Sequence, residues 1–192
     1  MQSFPGYLNI PWVKDSKILK LITMIRITNL KDYYTPLSVS GNIVKIAFDY
    51  EPFFDTDEEG NKVESNVGTW AEHVFKKKPS LSQIKDFILS EINKRTDELI
   101  LSGFTWKDKQ VWLSTENQFN YKAAYDLAVQ TNGANLPQVF KFGSTENPEY
   151  YKFETVEELT DFYTKATAYI NQCLAVGWAK KDSINWDDYK YT

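Results

Sequence analysis

The sequence predicts an α+β fold, with antiparallel β-hairpins interleaved with three α-helices. Two observations point there. Short alternating apolar runs occur in pairs around turn residues, and longer stretches carry apolar residues at helical spacing behind Ser or Thr caps. Both patterns recur in alternation along the chain, as expected when hairpins and helices cover a shared core. At 192 residues the chain can form one large domain, or two small ones sharing an interface. Three units are expected: an irregular N-terminal extension over 1–23, a small β-rich module over 24–78, and an α+β domain over 79–192.

Taken in order, Pro5, Gly6 and Pro11 punctuate the first segment, and Met24 opens a strand-like run, MIRITN. Met24 is therefore expected to be the natural start, with an upstream extension before it. Residues 18–25 are too short, are broken by Lys20 and lack a small-residue cleavage site, so no signal peptide is expected. Residues 43–50, IVKIAFDY, alternate as a strand does. The polar run 55–61 is a turn, and a second strand is expected over 63–75. Pro79 clears the way for Ser80 as an N-cap, and Gln83 completes a capping box. Ile84, Phe87, Ile88, Ile92 and Leu99 then form an apolar stripe, with Glu91 and Arg95 as an i,i+4 pair on the other side. Gly103 is expected to end this helix as its C′ residue.

Residues 104–106 and 111–113 are expected as two short strands joined by Lys107, Asp108 and Lys109. Ser114 or Thr115 caps a second helix running to about Val129, stopped by Thr131, Asn132 and Gly133. A further hairpin is expected from 139–142 and 150–153. Thr155 with Glu158 reads as another capping box, opening a last helix from Val156 to about Val176, with Gly177 as its end. In that helix Val156, Leu159, Tyr163, Ala166, Ile170 and Cys173 fall at alternating spacings of three and four. The seam spans under three heptads, so it reads first as a core face; self-association through it is the second reading.

Composition narrows the function classes. Six Trp, twelve Tyr and twelve Phe suit hairpins, interfaces and sugar-stacking surfaces alike. A net charge of −4 lacks the basic footprint that nucleic-acid binding needs, and Lys76 to Lys78 read as a solvated turn. No run of eighteen apolar residues occurs, so no membrane span is expected. The single cysteine, Cys173, excludes an intramolecular disulfide and fits cytoplasmic synthesis and folding.

No catalytic, cofactor or metal residues are assigned. The turn Asp55-Thr56-Asp57-Glu58-Glu59-Gly60 resembles the opening of a calcium loop, but the twelfth position is Asn66 and the flanks read as strands. His73 is the sole histidine and Cys173 its sole thiol partner, on distant segments. Glu157 with Asp161 falls in the first turns of a helix, where its dipole favours negative charge, and Asp187 with Asp188 falls in an expected terminal tail. No phosphate-binding glycine loop is present.

The ordered features from Glu91 to Asp188 carry a resemblance. A helix leads into Gly103-Phe104-Thr105-Trp106, a tight turn, Val111-Trp112 and a polar helix start at Ser114, Gln118 and Asn120. A strand at 139–142, the capped helix TVEELTDFYTKATAYINQCLAVGW and a charged end at 180–184 follow. This order resembles an uncharacterised domain family found in bacteriophage and prophage tail and tail-fibre-assembly proteins. The sequence departs from the family's pattern at Lys107-Asp108-Lys109, where a glycine is common, and at Phe140 with its tyrosine-rich neighbouring strand. The resemblance implies a non-enzymatic structural or assembly role through contact with a protein partner such as a tail or tail-fibre protein, with the virion tail as a destination. It supplies no catalytic residues. The alternative is a carbohydrate-binding or adhesin module using exposed aromatics, which requires two exposed coplanar rings beside carboxylates or amides. Trp106 and Trp112 are both expected to pack.

Overall fold

A computed structural model describes residues 26–144 and 146–191. The 1–23 extension, the Met24 start and the 18–25 segment lie outside the described residues. Four strands, β1 (Arg26–Leu30), β2 (Leu37–Ser40), β3 (Ile43–Thr56) and β4 (Lys62–Phe75), form one antiparallel sheet in the order β1-β4-β3-β2. The two expected strands of this region are present and longer than their periodicity suggested. The sequence reading missed β2, because a four-residue edge strand has too few alternations to register. Register between β3 and β4 shifts after Phe48, where Asp49 takes a left-handed conformation at φ 56°. Aspartate tolerates that region better than most residues, and such a bulge re-aims the side chain it carries.

Helix α1 (Leu81–Ser102) begins with the expected capping box: Gln83 N donates to Ser80 Oγ at 3.2 Å, and Ser80 N donates to Gln83 Oε1 at 2.8 Å. Its apolar stripe serves two cores. Ile84, Ile88 and Ile92 pack on Val44, Ile46, Phe48 and Ala71 of the sheet, whereas Ile100 belongs to a second cluster. Gly103 caps the helix in a right-handed conformation, φ −104°, which any residue can adopt. Its glycine is needed for space instead: a Cβ there would overlap the Tyr169 hydroxyl and approach Leu99 O to 2.8 Å.

Strands β5 (Phe104–Trp106) and β6 (Lys109–Val111) are joined by a two-residue turn, Lys107-Asp108, both at positive φ. The expected three-residue turn and the 111–113 strand are corrected accordingly. A two-residue turn of this hand matches the twist of the flanking strands, even without the usual glycine. Helix α2 (Thr115–Gln130) follows, capped by Ser114, whose Oγ accepts from Asn117 N. Strands β7 (Gln138–Gly143) and β8 (Pro148–Phe153) pair as the expected hairpin.

Helix α3 (Val156–Asp182) runs past Gly177, contrary to the expected end there. Gly177 is buried where α3 meets α1, and a Cβ on it would overlap Thr96 Oγ1 and sit 3.3 Å from Thr96 Cγ2. In an exposed helix interior Gly→Ala stabilises by roughly 1 kcal/mol. Here Gly177→Ala is expected to destabilise by about 1–3 kcal/mol through overpacking, read by urea denaturation. Adding Thr96→Ala should recover most of the loss, because the two sites share one contact.

The α3 seam faces the second core. Leu159, Phe162, Ala166 and Cys173 are buried there, and half-buried Tyr163 stacks on Tyr125 with centroids 4.7 Å apart. Phe162 is ringed by Phe104, Trp106, Tyr121, Phe140, Phe142 and Phe153. The chain then returns to the sheet. A 3-10 turn, Trp186–Tyr189, buries Tyr189 in the first core, with its hydroxyl donating to Ala47 O at 2.8 Å. Asp187 and Asp188 therefore stand on a packed turn, not in a loose tail. The core of the 24–78 unit is completed by α1 and by this returning segment.

Candidate functional site

The densest arrangement of charge lies where the sheet meets α1 and α3. The bulge turns Asp49 inward, leaving its side chain 2% exposed. Arg26 of β1 donates to Asp49 Oδ2 at 2.5 Å and to Asp49 O at 2.9 Å; its Nε also donates to Thr69 Oγ1 at 3.3 Å. Arg95 of α1 pairs with the same Oδ2, and Lys180 of α3 donates to Oδ1 at 2.6 Å. Glu51 pairs with Lys180, and lies 3.4 Å from each of Arg26 and Arg95. Burial pulls both carboxyls upward, but Lys180, Arg95 and Arg26 outweigh it and hold them below their ordinary values. Three cations and two carboxylates thus tie four elements together. The sequence reading gave Arg95 to Glu91 and missed this cluster. Its members are up to 154 positions apart and share no spacing; only the bulge at Asp49 brings them together.

A second polar group surrounds the β5–β6 hairpin. Trp106 is buried, and its Nε1 donates to Asp161 Oδ2 at 3.1 Å. Lys107 donates to the Tyr151 hydroxyl at 2.8 Å and pairs with Glu158, while its Nζ lies 4.5 Å from the Trp106 ring centroid. Glu158 N donates to Thr155 Oγ1 at 3.2 Å, half of the expected capping box. The Glu158 carboxylate turns instead to Lys107 and Tyr151. Burial works upward on Glu158, but these two hydrogen bonds win and its pKa falls. Asp161 is also lowered, by Lys165 and then Trp106. Of the Glu157–Asp161 pair, read from sequence as structural residues of a helix start, Asp161 fixes the hairpin to α3.

The remaining residues singled out by sequence stay apart. His73 lies on β4 between Phe75 and Phe87, with centroids at 4.6 and 4.0 Å. Burial lowers its pKa, partly opposed by Glu91. Cys173 sits in the other core, where burial raises its thiol pKa, the opposite of nucleophile activation. Asp57 closes the β3–β4 tip, accepting from Asn61 N at 2.7 Å and Glu59 N at 3.0 Å. Lys76, Lys77 and Lys78 are exposed, and Lys78 Nζ lies 4.0 Å from the Tyr191 ring centroid. Among the described residues no group of three His, Cys, Asp or Glu is placed to hold a metal ion, and no helix is long and apolar enough to cross a membrane.

Exposed apolar groups are scattered over the surface, and three groupings stand out. Phe53, Phe54 and Val63 lie on the outer half of the β3–β4 hairpin. Phe119 and Leu127 project from α2, with Ala123 between them at helical spacing. Trp178, 57% exposed, borders a shallow cavity of about 240 Å³ with Asn93, Asp97 and Lys181. Trp112 is 43% exposed, against the expectation that it packs. It follows Val111 in the chain, and Val111 takes the inward-facing position at the end of β6.

The arrangement defines an α+β protein whose two apolar cores are bridged by one helix and tied by a half-buried ion cluster. A family model described as a domain of unknown function (DUF4376) matches residues 83–192, more than half of the chain, and the chain belongs to that family. This supports the coarser part of the resemblance, an uncharacterised domain family, with wider bounds than 91–188. No curated protein and no solved structure matches the chain.

Proposed function

We propose that the chain is a non-enzymatic, phage or prophage tail-associated structural or tail-fibre-assembly protein that acts by protein–protein contact. The setting rests on the ordered resemblance over 91–188. The mode of action rests on one observation: the titratable groups that sequence singled out are spread over separate cores, caps and turns, while Phe53 and Phe54, side by side in the chain, stand exposed on a projecting hairpin. A tail or tail-fibre protein is the partner this reading names, with the virion tail as the site of action. The test is co-purification of the tagged full chain with assembled tails and with fibre complexes. Its presence in either is expected; its absence from both removes the reading.

Carbohydrate binding is the second reading, favoured by Trp178 beside Asn93 and Asp97, because an indole face with an amide and a carboxylate suits a sugar ring. The exposed tryptophans among the described residues, Trp112 in the loop after β6 and Trp178 on α3, lie on different segments of the chain. Quenching of tryptophan fluorescence by oligosaccharides, lost in Trp178→Ala, would support this reading; no response across a glycan panel would dispose of it.

A further inference from the structure

The outer half of the β3–β4 hairpin is a ribbon without a body to rest on. β1 pairs with β4 only across residues 67–71, and β2 pairs with β3 only across 43–46. Residues 54–56 and 62–64 therefore pair with each other alone, and both outer edges of the ribbon carry no neighbouring strand among the described residues. Register sets its two faces. Asp55 is opposite Val63, so Phe53, Asp55 and Val63 share one face; Phe54 is opposite Glu64, and Thr56 opposite Lys62, so these four share the other. Each face carries a phenylalanine, Phe53 at 45% and Phe54 at 48% exposure. Lys62 lies 4.2 Å from the Phe54 ring centroid, and Lys31 pairs with Glu64 at 2.7 Å near the base. Among the described residues no packed core supports either side.

Two strands without a covered face are at best marginally stable in water. Native proteins usually blunt such an edge with charge, proline or twist. Pro52, the second register shift and the acids do blunt this one, but the aromatic pair works against that purpose. The charges decide what can approach. Residues 53–64 hold Asp55, Asp57, Glu58, Glu59 and Glu64 against Lys62 alone. Two such ribbons repel each other, so a second copy is disfavoured. A basic extended segment meets the opposite field, finds unpaired backbone groups along an edge, and can cover a phenylalanine with alternate side chains.

We propose that this ribbon is a strand-docking surface for a basic, extended segment of a protein partner. The inference rests on the reading that the chain acts through protein contact, and it adds the chemistry of that contact. Backbone pairing supplies affinity, the phenylalanines supply apolar cover, and the acids exclude self-pairing and select for Lys or Arg on the incoming strand.

The test uses the full chain and a synthetic peptide of alternating Val and Lys, with amide hydrogen exchange as the readout. Peptide at about ten times its Kd should slow exchange of outward-facing amides in 53–56 or 62–66 by about tenfold. A Val–Glu peptide should leave them unchanged. Phe53→Ser with Phe54→Ser should weaken peptide binding by about tenfold or more, since two partly covered aromatics are lost. Near-UV circular dichroism checks that this variant remains folded. Glu58→Gln with Glu59→Gln, which leaves the apolar groups intact, should lower affinity and flatten its salt dependence. Three results would overturn the proposal: arm amides already slow without peptide, concentration-dependent dimers that protect them, or peptide binding indifferent to the phenylalanine pair. Peptide binding is read on the isolated chain. Its failure therefore removes the ribbon as the docking surface, while co-purification with tails separately decides the broader reading.

Discussion

Asp49→Asn is expected to lower the unfolding free energy by about 3–5 kcal/mol, because it leaves Arg26, Arg95 and Lys180 clustered around a site that has lost its buried counter-charge. Asparagine matches aspartate in volume and tolerates φ near 56°, so the loss reports charge and not backbone strain. The pH dependence gives an independent check. The folded Asp49 carboxyl titrates below its ordinary value near 3.8. The unfolded chain therefore binds that proton more readily. The stability Asp49 contributes is complete above its ordinary pKa and is lost as pH falls through the folded one. Glu51 shifts in the same direction and adds to the trend. Urea denaturation should show a wide gap between wild type and Asp49→Asn at neutral pH that narrows in acid. A gap unchanged by acid would assign the loss to packing.

Trp106→Ala should cost about 3–5 kcal/mol, the range for removing a fully packed aromatic. Its ring stacks on Phe153 at 5.1 Å and meets Tyr151 and Phe162 edge-on at 4.8 and 5.4 Å. Trp106→Phe keeps much of that area and loses the Asp161 hydrogen bond, so its cost should be smaller, about 1–2 kcal/mol. Trp112→Ala, six positions away, should change stability by roughly 0.5 kcal/mol or less, because that ring is partly in solvent. Thermal denaturation of the three variants checks the order. Equal losses at Trp106 and Trp112 would contradict the different burial of the two rings.

These contrasts show where the sequence was legible. The capping residues Ser80 and Ser114, and the start of the last helix behind Thr155, are local: a side-chain oxygen bonds a backbone N–H three residues on, so a few residues suffice. The paired strands of β3–β4 and β7–β8 were legible for a similar reason, since alternation and turn residues sit side by side in the chain. Gly177 was misread as a helix-ending residue, whereas Gly103 does end its helix, though in a right-handed conformation. Both exist to admit a neighbour distant in sequence, Thr96 at Gly177 and Tyr169 at Gly103. Trp106 and Trp112 look alike in sequence and differ in burial because the two-residue turn fixes which β6 position faces inward.

Local sequence was enough for the α+β class, three helices, most strands and the likeness to an uncharacterised domain family. Those features depend on periodicity and caps within a turn or two of chain. Long-range packing was needed to reveal that Asp49 draws β1, α1 and α3 into one ion cluster, that Tyr189 returns to complete the sheet's core, and that among the described residues the outer β3–β4 ribbon has both faces open. Each of these depends on which distant segments meet. Contact energies between such segments arise from burial and charge proximity in three dimensions, and spacing along the chain does not encode them.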